Sequence, residues 1–314
     1  MKKQPNLQTH CKIGYPIFNM DNNNNKIVVI TGASSGIGLA TALYLNEHGY
    51  HVVAGVRKPQ DKEAVLAKAQ FPARMLTILL DVTKESDLQS ALASVQALVA
   101  DHKEVAAIVS NAGIVILKGN ISCEECPEET LRTVMDINFF GAVRFIQTFL
   151  PLVRTAKGTV VINSAMAAKL VIPFTAGYAT SKCALQGWAT SLRREVYAQG
   201  IHVVLIEAAR ASTNLDAKQN PEAVDQSKLY PMQRPFIKAF LESMASGKNN
   251  PHSSPWRIAK TIAQAIAAKH PKLHYAIGSG GHLLAFISLL PDRIQDWLIN
   301  KMMHKMTSTS KLVT

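Results

Sequence analysis

From Lys26 onward, short unbroken runs of apolar residues alternate with longer stretches whose apolar positions recur every three or four residues. Continuous Val- and Ile-rich runs suit strands buried on both faces, and the amphipathic stretches between them are long enough to cross from one parallel strand to the next. The pattern predicts strands at Ile27–Ile30, His51–Val56, Met75–Leu80, Val105–Ser110, Thr159–Ile162 and His202–Ile206, with a seventh at Leu273–Ile277. Helices are predicted around Gly38–Glu47, Glu85–Ala100, Glu128–Val153 and Ala176–Ala198. The fold class implied is α/β, a single doubly wound parallel sheet of about seven strands with helices on both faces.

The alternation also sets the domain limits. Residues 1–25 are polar, with Lys2, Lys3 and a run of four asparagines, and have no apolar core of a secretory signal; they are read as a flexible tail. Residues 26–280 form one domain and residues 281–314 a helical extension. After the sixth strand, Asn214 to Asn250 is rich in Pro, Gln, Lys and Ser and is expected to pass over a pocket. A helix at Pro255–Lys269 and an apolar-rich segment from His282 to Met306 follow. The apolar stretch Leu283–Leu290 stops at Pro291, well short of the roughly 18 residues of a membrane span. A soluble, cytoplasmic protein is expected, with at most peripheral membrane contact through the C-terminal segment.

Charge and cysteines narrow the partners. A net charge of +12 suits a phosphorylated cofactor, a nucleic acid or an anionic membrane, but says nothing of the fold, and nucleic acid is not the partner expected. Cys123 and Cys126 have CxxC spacing, yet a second ligand pair is missing, so Cys11, Cys123, Cys126 and Cys183 are read as ordinary thiols and no metal is expected.

The chemistry starts directly after the first strand, at Thr31-Gly32-Ala33-Ser34-Ser35-Gly36-Ile37-Gly38. Glycines there let the backbone approach a pyrophosphate, and free N–H groups at the helix start supply an electropositive end for it. Gly32, Ser34, Ser35, Gly36, Ile37 and Gly38 are therefore candidate cofactor residues of a Rossmann-type unit. The second strand ends in Arg57-Lys58 with no carboxylate to accept from a ribose 2′-hydroxyl, and a guanidinium there favours the 2′-phosphate of NADP over NAD. Further on, Tyr178 and Lys182 lie four positions apart in a predicted helix, on one face. A phenol can exchange a substrate's hydroxyl proton if its pKa falls, and a neighbouring ammonium lowers it.

The glycine turn, Asn111-Ala112-Gly113 and Tyr178-Ala-Thr-Ser-Lys182 together resemble the classical short-chain dehydrogenase/reductase family, over about Lys26 to Ile277. The resemblance implies an NADP(H)-dependent oxidoreductase interconverting a hydrophobic alcohol and its carbonyl, often as a homodimer or homotetramer built on the two long helices. It also implies that Asp81 sits by the adenine, that Asn111, Ala112 and Gly113 close on the cofactor, and that Thr213 lies near the carboxamide. Asn138, in Met135-Asp-Ile-Asn138, would complete a proton relay. The C-terminal part, with Pro291-Asp292-Arg293 and Trp297, is similar to the hydroxysteroid and retinol dehydrogenase branch, which implies steroid-, retinoid- or lipid-like substrates. The apolar stretch Leu170–Phe174 would wall such a pocket.

Two departures stand beside the expected nicotinamide. The family places a serine at the end of the fifth strand, and this chain has Ser164 fourteen positions before Tyr178, with Ala165 at the position a gap-free match assigns to the catalytic serine. Either a one-residue shift lets Ser164 serve, or the hydroxyl is missing. After the sixth strand the family's Pro-Gly is replaced by Ala208-Ala209, which cannot copy a backbone that needs positive φ. The alternative reading is a catalytically impaired cofactor-binding sensor or scaffold of the same fold.

Overall fold

The computed structural model describes residues 23–116, 122–209, 230, 234–238, 254–278 and 280–310. Seven parallel strands, β1 (Lys26–Ile30), β2 (His51–Val56), β3 (Met75–Leu79), β4 (Glu104–Ser110), β5 (Thr159–Ala165), β6 (His202–Ala208) and β7 (His274–Ile277), form one sheet in the order β3-β2-β1-β4-β5-β6-β7. The strand order turns back on itself between β1 and β4, so a crevice opens at their carboxyl ends. The helices are α1 (Gly36–Glu47), α2 (Pro59–Leu66), α3 (Glu85–Ala100), α4 (Glu128–Met135), α5 (Gly141–Thr155), α6 (Ala176–Val196), α7 (Pro255–Ala267), α8 (Gly281–Ile287) and α9 (Asp292–Ser310).

Alternation along each strand divides the core in two. On one face Val160, Ile162, Val203 and Leu205 pack with Phe145, Phe149, Leu185 and Leu192 of α5 and α6. On the other, Val28, Ile30, Val161 and Val204 pack with Leu45 of α1 and Ile258 and Ile262 of α7. Both faces are covered, which is why the strands read as continuous apolar runs.

The differences from the sequence pattern have physical causes. α2 was not predicted because Val65 is its only buried residue, too little for a period to register. The long helix expected over Glu128–Val153 is interrupted by a π-helical turn at Asp136–Phe140. This wider turn carries the fully buried Asn138, whose amide pairs with the Ile114 peptide group, Ile114 N donating to Oδ1 at 2.8 Å and Nδ2 donating to Ile114 O at 2.9 Å. β5 and β6 continue beyond the predicted Ile162 and Ile206 because Asn163, Ser164 and Glu207, polar and easily read as strand ends, are themselves buried between neighbours.

Candidate active site

The glycine turn packs directly on the end of β4. Gly32 and Gly36 adopt φ of +67° and +57°, which glycine takes without a Cβ penalty. A Cβ on Gly38 would lie 2.2 Å from Gly32 O, and one on Gly32 3.0 Å from Ala112 Cα, so the close approach excludes any side chain. Thr31 Oγ1 accepts from the N–H groups of Asn111 and Ala112, both at 3.0 Å, and Asn111 Nδ2 donates to Thr31 O at 2.9 Å and Gly32 O at 3.2 Å. Ser35 is the N-cap of α1 but its side chain makes no capping bond, and the first turn holds no carboxylate. Such a helix start offers its N–H groups to an external anion. The side-chain-free cradle and the uncapped helix together fit the pyrophosphate of a dinucleotide.

Arg57 and Lys58 follow β2 and are exposed, and Asp81 follows β3. Partial burial pushes the Asp81 carboxyl upward, but hydrogen bonds from Thr83 N and Oγ1 and the charges of Arg57 and Lys84 outweigh it and hold the group below the usual carboxylate range. Arg57 thus lies in a field shared with Asp81, at the rim of the same crevice.

The second cluster is carried by α6. Tyr178 and Lys182 are one turn apart, with Lys182 Nζ 5.8 Å from the centre of the phenol ring. Lys182 is buried and donates to Asn163 O at 2.9 Å. Asn138 Nδ2 also donates to Ser181 Oγ at 3.0 Å, and Ser181 Oγ in turn donates to Tyr178 O at 2.7 Å. A Cβ on Gly113 would stand 3.2 Å from Asn138 Oδ1 and 3.8 Å from Lys182 Nζ, so the end of β4 meets both residues. Asn163 Nδ2 completes the connection by donating to Asn111 Oδ1 at 2.9 Å. The residues singled out at β1, β4, the π-helical turn and α6 therefore form one continuous network at the carboxyl edge of the sheet.

Burial lowers the Lys182 ammonium from its ordinary 10.5 to about 8. A lysine whose folded value is depressed makes the fold more stable as pH rises, because between about 8 and 10.5 the unfolded chain binds more protons than the folded one. Relative to Lys182→Met, the parent chain is expected to gain about 3 kcal/mol across that window. Urea midpoints of both proteins at pH 7 and pH 10, without nucleotide, measure the change, and a constant gap would show that Lys182 does not titrate there.

At the end of β5, Ser164 and Ala165 are both buried, and β5 stays paired to β6 through Ala165 opposite Ala208. Alternation puts Ser164 on the face of Val160 and Ile162, which is the face α6 covers, and Ala165 on the opposite one. Ser164 Oγ is buried with no hydrogen-bond partner among the described residues. Beside it across the strands, Glu207 is fully buried and meets Lys169 Nζ and His274 Nδ1, each at 2.7 Å. Ala208 and Ala209 do not adopt positive φ; Gly278 does, at +110°, where a Cβ would meet Ala209 O at 2.4 Å. Thr213 lies outside the described residues.

Sequence reasoning gave no role to Thr31, Asn163, Ser181 or Glu207. Asn163 and Glu207 did leave a signal, since each is a polar residue ending an otherwise apolar strand. Among the described residues no group of three or more His, Cys, Asp and Glu is placed to hold a metal ion, and Cys123, Cys126 and Cys183 are free thiols.

Comparison with known proteins places this geometry. The family model described as short chain dehydrogenase matches residues 26–223. Estradiol 17-beta-dehydrogenase 2 of Rattus norvegicus is 30% identical over 288 residues, covering 88% of this chain and 74% of that protein. The 3-ketodihydrosphingosine reductase of Bacteroides thetaiotaomicron is 28% identical over 284 residues, covering 89% of this chain and 95% of the other. Among solved structures, a short-chain dehydrogenase from Streptomyces avermitilis superposes with a TM-score of 0.67 at 26% identity, covering 92% of this chain and 97% of that one.

Proposed function

This chain belongs to the short chain dehydrogenase family and is an oxidoreductase acting on CH–OH donors with a nicotinamide cofactor, and on that premise we propose that it interconverts a hydrophobic secondary alcohol and its ketone using NADP(H). The observation that carries the catalytic part is the meeting of Tyr178, the buried Lys182 and Asn138 at the carboxyl edge of the sheet. The substrate class is supported by the names of the relatives, which include a steroid dehydrogenase and a sphingoid-base reductase, and by the apolar stretch Leu170–Phe174 leading into α6.

Gly32, Ser34, Ser35, Gly36, Ile37 and Gly38 would hold the pyrophosphate, Arg57 the 2′-phosphate, Asp81 the adenine side, and Asn111, Ala112 and Gly113 the face toward the nicotinamide. When bound, the cofactor accepts or supplies the hydride. In the oxidation direction the Tyr178 phenolate takes the hydroxyl proton as the C–H bond breaks and the C=O bond forms; in reduction the phenol returns that proton to the oxygen. The Lys182 ammonium favours the phenolate by charge. Asn138 holds the wide turn of its helix against Ile114, and in the proposed relay it would pass a proton between Lys182 and solvent. Ser164, whose hydroxyl has no other described partner, would donate to the substrate oxygen as charge develops there.

The direct test is a fluorescence titration with NADPH and NADH, followed by a panel of steroid, retinoid and aliphatic carbonyls. NADPH is expected to bind in preference, and Arg57→Ala to weaken NADPH by about tenfold while leaving NADH unchanged, the effect of losing one charge-assisted contact at an exposed site. Equal losses for the two nucleotides would remove Arg57 as the selector. Tight binding without turnover on any carbonyl would favour a cofactor-binding scaffold instead.

A further inference from the structure

The C-terminal helices leave a group of large apolar side chains in solvent. Leu283 and Phe286 on α8 are 62% and 61% exposed, Leu289 in the following turn 83%, and Ile294 and Trp297 on α9 45% and 58%. Scattered single exposures are normal, but five bulky residues within fifteen positions of one helix-turn-helix segment point to an unformed contact. Leu283 and Phe286 are three apart and share a face of α8.

The arrangement on α9 identifies what would cover them. At about 100° per residue, Ile294, Trp297, Lys301 and Lys305 fall within about 80° of one another around the helix. Met303, which is buried, lies on the opposite side, so the stripe points away from the body of the protein. The two acidic residues, Asp292 and Asp296, also fall opposite the stripe, leaving it apolar in its first half and basic in its second. Lys301 Nζ lies 4.9 Å from the Trp297 ring centre, the pairing of an aromatic and a cation expected at a headgroup boundary. The same stripe of a second copy would offer these lysines no carboxylate to pair with, whereas an anionic surface neutralises them. The chain as a whole carries +12.

We propose that α8, the turn after it and α9 form a docking surface for an anionic lipid bilayer, with Leu283, Phe286, Leu289, Ile294 and Trp297 entering the headgroup region. The helices lie on the bilayer; among the described residues no helix is long and apolar enough to cross one. The surface adjoins the site. α8 packs on β7 and on the short 3₁₀ turn Met166–Ala168 that follows β5, and a Cβ on Gly281 would stand 3.8 Å from Ala209 Cβ. Docking would therefore bring the lipid phase, where an apolar alcohol or ketone is concentrated, next to the candidate active site; this consequence rests on the substrate reading above, while the docking itself does not.

The test is flotation of the full chain with vesicles of phosphatidylcholine alone and of phosphatidylcholine with about one phosphatidylglycerol in three. The chain is expected to float with the anionic vesicles, and binding is expected to weaken at high salt and with Lys301→Glu/Lys305→Glu. A Phe286→Glu/Leu289→Glu/Trp297→Glu chain is expected to lose at least about tenfold in partitioning. NADPH fluorescence titration and thermal melting of the same variants show that they remain folded. If the parent chain floats with neither vesicle, or if the apolar variants float as well as the parent, the docking surface is wrong. Conversion of a stable dimer to monomer by the apolar variants, with no flotation of the parent, would assign the face to a second copy instead. Failure of every carbonyl in the activity panel leaves the flotation result intact, so the two readings fail separately.

Discussion

A Tyr178→Phe chain is expected to lose about 10²- to 10⁴-fold in kcat while its affinity for NADPH stays within about twofold of the parent. The change removes one oxygen and keeps the ring, so the packing of α6 and the 5.8 Å approach of Lys182 to the ring centre survive. What is lost is the group that exchanges the substrate proton, and no other titratable side chain on α6 stands in its place: Lys182 is buried and donates to Asn163 O. The glycine turn and the Thr31–Asn111 bonds that shape the nucleotide crevice lie on other elements and are untouched. Stopped-assay turnover on whichever carbonyl the panel identifies, with a fluorescence titration of the same sample, separates the two effects. Normal turnover would move the acid–base role elsewhere; parallel loss of turnover and nucleotide binding would mean that the phenol oxygen holds the crevice together.

Much of this was legible along the chain because the signals were either periodic or steric. A two-sided parallel sheet needs strands that are largely apolar, and β1 to β6 appeared as such runs along the chain, while β7, a four-residue edge strand with His274 exposed, is the faintest of the seven. The glycine turn was legible because each glycine has a spatial reason that no other residue satisfies, as the 2.2 Å clash at Gly38 makes concrete. What did not read was anything that depends on a partner far along the chain. The π-helical turn at Asn138 arises from pairing with Ile114, 24 positions earlier, and the local pattern of Glu128–Val153 remains that of an ordinary helix. Likewise Asn163 and Glu207 looked like strand ends because polar residues usually are; here the Asn163 side-chain N–H finds Asn111, and the Glu207 carboxylate finds Lys169 and His274, although Asn163 Oδ1 is buried with no described partner. At Ala208-Ala209 the backbone keeps negative φ, so the turn a glycine would allow there is not made by these two residues, and the loop that follows lies outside the described residues.

Ser164→Ala is expected to lower kcat by about 10²- to 10³-fold, and Ala165→Ser to restore little or nothing in that background. The sequence left two readings of this strand end, and the geometry favours one of them. β5 remains regularly paired through Ala165, with no bulge against β6, so neighbouring residues point to opposite faces of the sheet. Ser164 falls on the α6 face, the face of the helix that carries Tyr178 and Lys182, and its hydroxyl is buried without a described partner. A buried hydroxyl left unpaired costs about 1–3 kcal/mol, a cost that a substrate oxygen accepting from it would offset. Ala165 points to the face of Val161, away from α6, so a hydroxyl placed there by substitution starts from the wrong side of the strand. The opposite outcome is equally distinct. If Ser164→Ala leaves kcat unchanged and Ala165→Ser in the parent chain raises it by 10²-fold or so, the strand end must turn as substrate binds, and the parent chain is an enzyme working without its oxyanion donor. Because both substitutions change a single small side chain at buried positions, thermal melting of each variant decides whether a lost rate reflects the hydroxyl or the fold.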